Sequence, residues 1–192
     1  MSPWEALAVF AAGIGAGTIN TIVGSGTLIT FPVLLATGLP PITANVSNAL
    51  GLVPGSVSGA IGYRRELKGQ KKRVLRLGAA ALVGLLLASM YGGYFGAAQG
   101  VLYLSLMGLL LHDDLQRINA VKNILGALVN GVAAVFFLFV ADFDWTAVLL
   151  IAVGSTIGGQ LGAKVGRRLS PTVLRGVIIA VGVVAILQLT LK

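Results

Sequence analysis

Few residues in this sequence can do chemistry, and they fall into two similar groups. Lys122 and Asn123 lie one helical turn inside an apolar run. Asn45, Ser47 and Asn48 lie in the first turns of an earlier one. Polar groups in a long apolar segment are costly and usually face the bundle interior or a pathway. A buried ammonium there can hold an anion, and amide side chains can hydrogen-bond it. Plainer roles exist for the same groups. Lys near a helix end can snorkel to an interface, and Asn can make interhelical hydrogen bonds worth about 0.6 kcal/mol. A third set is backbone: Gly24-Ser25-Gly26 and Gln99-Gly100 fall at breaks between apolar runs. A half-helix that starts at such a break offers free N–H groups and the positive end of its dipole to an anion. The alternative is a tight helix crossing with no ligand.

Other chemistries lack their parts. There is no Cys, and the one His, His112, sits beside Asp113 and Asp114, whose expected role is helix capping. No metal site, cofactor or catalytic residue is expected. No phosphate loop, dinucleotide fingerprint or nucleophile elbow occurs in a strand–turn–helix context. Tyr91 and Tyr94 could offer hydroxyls, or pack with one satisfied hydrogen bond. Arg117 reads as an interface anchor.

The elements that position these residues must be membrane helices. Of 192 residues, 56% are hydrophobic and 10% charged, and the mean hydropathy is +0.93. A soluble domain carries about 25% charged residues. The apolar runs are continuous rather than alternating, which argues against a β-barrel. The net charge of +8 comes from basic residues in short loops, so it predicts topology and no nucleic-acid partner. With no Lys or Arg before the first run, no cleaved signal peptide is expected.

In chain order, Ser2-Pro3-Trp4-Glu5 predicts a capped helix start. A short run from Thr27 to Thr37 follows the Gly24–Gly26 break, then a turn from Gly38 to Pro41. Thr43 is expected to cap a helix over about 43–63, with Gly51, Gly55 and Gly59 on one face. Tyr63–Arg76 is a strongly basic loop, expected to be cytoplasmic. No further charge appears before His112, which leaves room for two crossings with a break near Gly92–Gly100. Asp113 and Gln116 have capping-box spacing for a helix over about 117–140. Trp145 opens a helix to about 165, with Gly154, Gly158, Gly162 and Gly166 at every fourth place. Ser170-Pro171 opens the last helix. This gives about eight apolar segments with both ends outside.

The chain repeats at an offset of about 75. Val46-Ser47-Asn48-Ala49-Leu50-Gly51 matches Val121-Lys122-Asn123-Ile124-Leu125-Gly126. The loop after the first copy is basic and the loop after the second acidic, so equivalent loops lie on opposite sides. That is the sign of an inverted repeat with a site at the repeat interface. The expected fold is an all-α polytopic membrane protein, one domain over 1–192, with repeat one over about 4–89 and repeat two over about 90–192. Residues 78–97 serve both copies, which places a gap near Leu87–Tyr91.

The order and spacing of Gly24-Ser25-Gly26, Phe31-Pro32-Val33-Leu34, Gly38-Leu39-Pro40-Pro41 and Ala44-Asn45-Val46-Ser47-Asn48 resemble the TauE/SafE family of sulfite exporters. Gly96–Gly100 and Asn119–Asn123 support the resemblance in the second copy. The family likeness implies a bacterial inner-membrane permease that exports sulfite, sulfoacetate or a related organosulfur anion. Family members carry extra helices and a second basic loop, so the likeness implies a shortened form here. The expected function is transport of a small anion by alternating access; a passive anion channel and a non-transporting scaffold are the alternatives. The expected partners are the small anion and the lipid bilayer. A coupling ion, H+ or Na+, and a homodimer are compatible with this reading. The expected site comprises Gly24, Ser25, Gly26, Asn45, Ser47, Asn48, Gln99, Gly100, Lys122 and Asn123.

Overall fold

A computed structural model describes residues 1–88, 99–111 and 113–190. Among them are eight helices and no strand: α1 (Pro3–Ile22), α2 (Thr27–Ala36), α3 (Pro41–Gly62), α4 (Lys71–Ala88), α5 (Gln99–Leu110), α6 (Leu115–Val140), α7 (Trp145–Gly166) and α8 (Pro171–Thr190). This all-helical architecture agrees with the expected class. Helices α1, α6 and α7 are each long and apolar enough to cross a membrane. Phe139 and Leu109 are more than four-fifths exposed. Such apolar surface suits lipid as the solvent. Tyr91, Tyr94, His112, Gly92 and Gly96 lie outside the described residues.

Local sequence explains most helix boundaries. Ser2 and Glu5 form the capping box: Glu5 N–H donates to Ser2 Oγ (3.3 Å) and Ser2 N–H to Glu5 Oε2 (2.6 Å). Three expected boundaries shift. Helix α3 starts at Pro41 with Pro40 as N-cap, so Thr43 is inside it and does not cap it. Proline at the first position is already set for helix, which moves the start earlier. The basic loop is shorter than expected, because Lys71, Lys72, Arg73 and Arg76 belong to α4. Asp114, not Asp113, caps α6 and accepts from Gln116 N–H (2.7 Å).

Cross-helix neighbours fix the directions. Gly13 packs on Ile151 and Gly17 on Ser155, so α1 and α7 run parallel. Gly51 packs on Ile151, Gly55 on Ser155 and Gly62 on Ala163, so α3 and α7 also run parallel. Helix α6 runs the other way: Gln116 and Asn119 meet Tyr63, while Ala134 clusters with Val46 and Leu50. The C-terminal ends of α1, α3 and α7 therefore share one face. Arg64, Arg65, Lys68, Lys164, Arg167 and Arg168 gather at that face, which makes it cytoplasmic by the positive-inside rule. Trp4 and Trp145 sit exposed at the opposite ends of α1 and α7, as interface residues do.

Glycine makes this parallel trio possible. A Cβ on Gly154 would lie 2.5 Å from Phe10 O, and one on Gly162 2.6 Å from Thr18 O. One on Gly158 would overlap Ile14 O, and one on Gly159 would lie 2.5 Å from Gly55 O. Small residues at this spacing let backbones touch. Thr18 Oγ1 donates to Gly158 O (3.1 Å), and Ser155 Oγ donates to Gly51 O (2.9 Å) across the contacts. These glycine ladders are spent on internal packing and leave no such face for a dimer.

Helix α2 is short, about 15 Å long, half of a hydrocarbon core. Gly26 lies against Ala16 and Asn20, and Ile29 against Gly15, so α2 turns back antiparallel along α1. Its first turn faces Asn48 of α3. The start of α2 therefore lies between the last third of α1 and the first half of α3, and residues 23–26 carry the chain up to it.

Candidate functional site

Helix α1 stops at Ile22 because Gly24 turns the chain with φ +96°, a conformation open to glycine at little cost. The last carbonyls of α1 then need donors. Helix α6 supplies them from a hundred residues away. Lys122 Nζ donates to Asn20 O (2.9 Å) and Thr21 O (3.1 Å), and Asn123 Nδ2 donates to Thr21 O (3.1 Å). Lys122 is 2% exposed, so it does not snorkel. An ammonium at a helix C-terminus meets the negative end of the dipole. Lys122 has three N–H donors, and these bonds use two.

On the other side of the break, α2 begins at Thr27 with Gly26 as N-cap and no side-chain cap. The N–H groups of Ser25, Gly26 and Thr27 find no acceptor among the described residues. The hydroxyls of Thr21 and Ser25, both 1% exposed, also have no partner there. Buried polar groups are nearly always hydrogen-bonded, so this concentration of free donors is unusual. Asn20 links the two sides: its carbonyl accepts from Lys122 and its Cβ lies against Gly26.

The structure separates the other expected residues. Asn48 clasps the first turn of α2: its Nδ2 donates to Thr27 Oγ1 (3.1 Å), and Thr30 Oγ1 donates to its Oδ1. Asn48 and its repeat mate Asn123 thus hold different elements, the start of α2 and the end of α1. Ser47 stands elsewhere, at the outer end, where its Oγ accepts from Asp144 N–H (2.8 Å) beside the start of α7. Asn45, half-buried, lies in the first turns of α3. Gln99 and Gly100 lie in α5, and residues 89–98 just before them are outside the described residues.

Several contributors were not singled out from sequence. Thr27 and Thr30 have helical spacing, a signal that could have marked them as partners of Asn48. Gln116 does not close a capping box with Asp113. Its Nε2 donates instead to Gly166 O (2.8 Å) and Leu169 O (3.1 Å), capping the end of α7. Buried Tyr63 accepts from Asn119 Nδ2 (3.0 Å) and donates to Gln116 Oε1 (3.3 Å). Burial pushes its phenol up to about 12. Nearby, Asp113 joins Arg73 (2.5 Å) and Arg117 (3.2 Å). The Arg73 hydrogen bond holds its carboxyl below the usual range. Arg117 is thus an ion-pair partner at the cytoplasmic end. No group of metal-ligating side chains forms among the described residues.

Comparison with known proteins identifies the family. A family model described as Sulfite exporter TauE/SafE matches residues 9–90 and 79–189, so residues 79–90 are matched twice. A probable membrane transporter protein, ORF9, of a Sinorhizobium species is 37% identical over 89 residues, which are 44% of this chain and 34% of that protein. The probable membrane transporter protein YfcA of Escherichia coli K12 is 23% identical over 239 positions, covering 96% of this chain and 89% of YfcA. Since 96% of 192 residues is about 184, about 55 of those positions face no residue here. A probable membrane transporter protein of Haemophilus influenzae is 23% identical over 227 positions, 89% of each chain. No solved structure gives a significant match. With its apolar helices and this match over nearly its whole length, the chain belongs to the TauE/SafE sulfite exporter family, a family of membrane transporters rather than enzymes.

Proposed function

We propose that this transporter is a bacterial inner-membrane permease that exports sulfite, sulfoacetate or a related small organosulfur anion by alternating access. The observation that carries the reading is the α1–α2 break, where buried Lys122 keeps a spare donor. The uncapped start of α2 and the unpartnered Ser25 hydroxyl lie just across it. A small tetrahedral or pyramidal oxyanion matches such a set of N–H and O–H donors. Gly24, Ser25, Gly26, Lys122 and Asn123 form the site, and Asn48 positions α2. Gln99 and Gly100 belong to α5, the corresponding helix of the second copy.

The inverted repeat gains support from helix lengths. Shifted by 75, the bounds of α3 fall within three residues of those of α6, and the end of α2 and the start of α4 fall within one residue of the end of α5 and the start of α7. The doubly matched residues 79–90 fit one helix serving both copies. Transporters of this kind place half-helix N-termini at mid-depth on anionic groups. An H+ or Na+ gradient is the proposed driving force, and a homodimer, if formed, uses surfaces other than the glycine ladders.

The test is sulfite flux into proteoliposomes holding this 192-residue chain. Saturable flux that responds to an imposed ion gradient is expected. Lys122→Ala and Asn48→Ala should each lower it at least about tenfold, the loss of roughly 1.4 kcal/mol of interaction. Unchanged flux in both variants, in folded protein, removes this site.

A further inference from the structure

The cytoplasmic end of α7 holds a recess whose lining shares no residue with the α1–α2 break. It measures about 290 Å³, and Glu66, Gln160, Lys164, Arg167 and Arg168 line it. Arg167 is already committed: its Nε pairs with Glu66 Oε1 (2.8 Å) and its Nη1 donates to Gly62 O (3.1 Å). The side chains of Lys164 and Arg168 have no ion pair or hydrogen bond among the described residues. After the Arg167–Glu66 pair cancels, two cations are left uncompensated in one concavity. Glu66 Oε2 is buried and has no partner.

A second recess, about 490 Å³, adjoins the first and shares Gln160 and Lys164 with it. Thr156, Ile157 and Leu161 complete it. These residues recur every three or four places, so the groove follows one face of α7 away from the charged end. Ile157 and Leu161 are 44% and 46% exposed on the surface that faces lipid. A basic cavity thus opens into an apolar groove that runs toward the membrane interior.

We propose that the two recesses form one binding site for an anionic phospholipid of the cytoplasmic leaflet. Its phosphate diester sits on Lys164 and Arg168, and one acyl chain lies along Ile157 and Leu161. Basic pockets on the cytoplasmic side of membrane helices suit anionic headgroups. The Glu66 carboxylate behind the cations repels the extra charge of a phosphate monoester, which favours a singly charged diester headgroup. A soluble anion would satisfy the cations but leave the groove empty.

Native mass spectrometry of the purified full chain, offered equal dioleoyl phosphatidylglycerol and phosphatidylcholine, tests this. Two uncompensated cations at roughly fivefold each predict about a thirtyfold preference for phosphatidylglycerol. Lys164→Gln and Arg168→Gln should each remove about fivefold, and the double variant should show no preference. Arg65→Gln, the same charge change outside the recess, should keep it. Millimolar glycerol 1-phosphate should not displace the lipid. No preference in the wild type, or a preference that survives the double variant, overturns the site. Displacement by glycerol 1-phosphate overturns it in favour of a soluble anion. Thermal unfolding in phosphatidylcholine nanodiscs confirms that the variants fold; if the double variant does not, the two single variants decide.

Discussion

Gly158→Ala should destabilise the parallel trio more than its size suggests. A Cβ there overlaps Ile14 O and comes within 2.9 Å of both Ile14 C and Thr18 N. All three atoms are backbone, so no rotamer change relieves the clash. Helix α1 must back off by about an ångström to restore ordinary contact distances. That loosens Gly13 and Gly17 on α7 and stretches the 3.1 Å bond from Thr18 Oγ1 to Gly158 O. Overpacking of this kind costs about 1–3 kcal/mol, and a weakened hydrogen bond adds about 1 kcal/mol. The better helix propensity of Ala returns up to about 1 kcal/mol. With the full propensity gain the net loss is about 1–3 kcal/mol, or about 2–12 °C in Tm for a chain of this length. Gly126→Ala is the matched control, because nothing lies within 4 Å of its added Cβ. It keeps only the propensity gain and should raise Tm slightly. Scanning fluorimetry of both variants in one detergent reads the difference. Equal shifts, or a higher Tm for Gly158→Ala, would refute backbone contact between α1 and α7.

Two further predictions concern polar clasps. Thr30→Val and Asn48→Ala should couple, because Thr30 Oγ1 donates to Asn48 Oδ1; a double-mutant cycle should give about 0.5–3 kcal/mol, and additive losses would break the assignment. The Tyr63 phenol, pushed up to about 12 by burial, favours the folded state while protonated. Its contribution is full below the unfolded value of about 10 and is lost as pH rises from there through about 12. Over that window the wild type should lose more stability than Tyr63→Phe, and parallel loss in the two proteins would contradict it.

Much of the architecture was legible in the sequence because it rests on local rules. The Ser2–Glu5 box, the Gly24 turn and the fourth-place glycines all write themselves into nearby residues. What the glycines touch did not, since Gly158 and Ile14 are far apart in the chain. The start of α3 was misplaced because Thr43 looks like a cap, while Pro40-Pro41 fixes the backbone two residues earlier. The polar residues were found, but their partners depended on tertiary packing. Lys122 could have met an anion, lipid headgroups or a helix end; only the fold brings it to Asn20 O and Thr21 O. Gln116 likewise passes over its own helix start to reach α7.

The contrast between α2 and the trio has a mechanical consequence. Helices α1 and α7 touch backbone to backbone at Gly154, Gly158 and Gly162, and α3 rests Gly55 and Gly62 on small side chains of α7, so the three act as a chassis. Helix α2 is bounded by Gly24 and Gly38, both at positive φ. Between those two joints Thr27 and Thr30 tie it to Asn48. Further along, Leu34 is fully buried against Val9, Ala16, Leu52 and Ile151. Displacing α2 therefore means breaking both the polar clasp at its start and this apolar seat on the trio, with the two glycines taking up the backbone rotation.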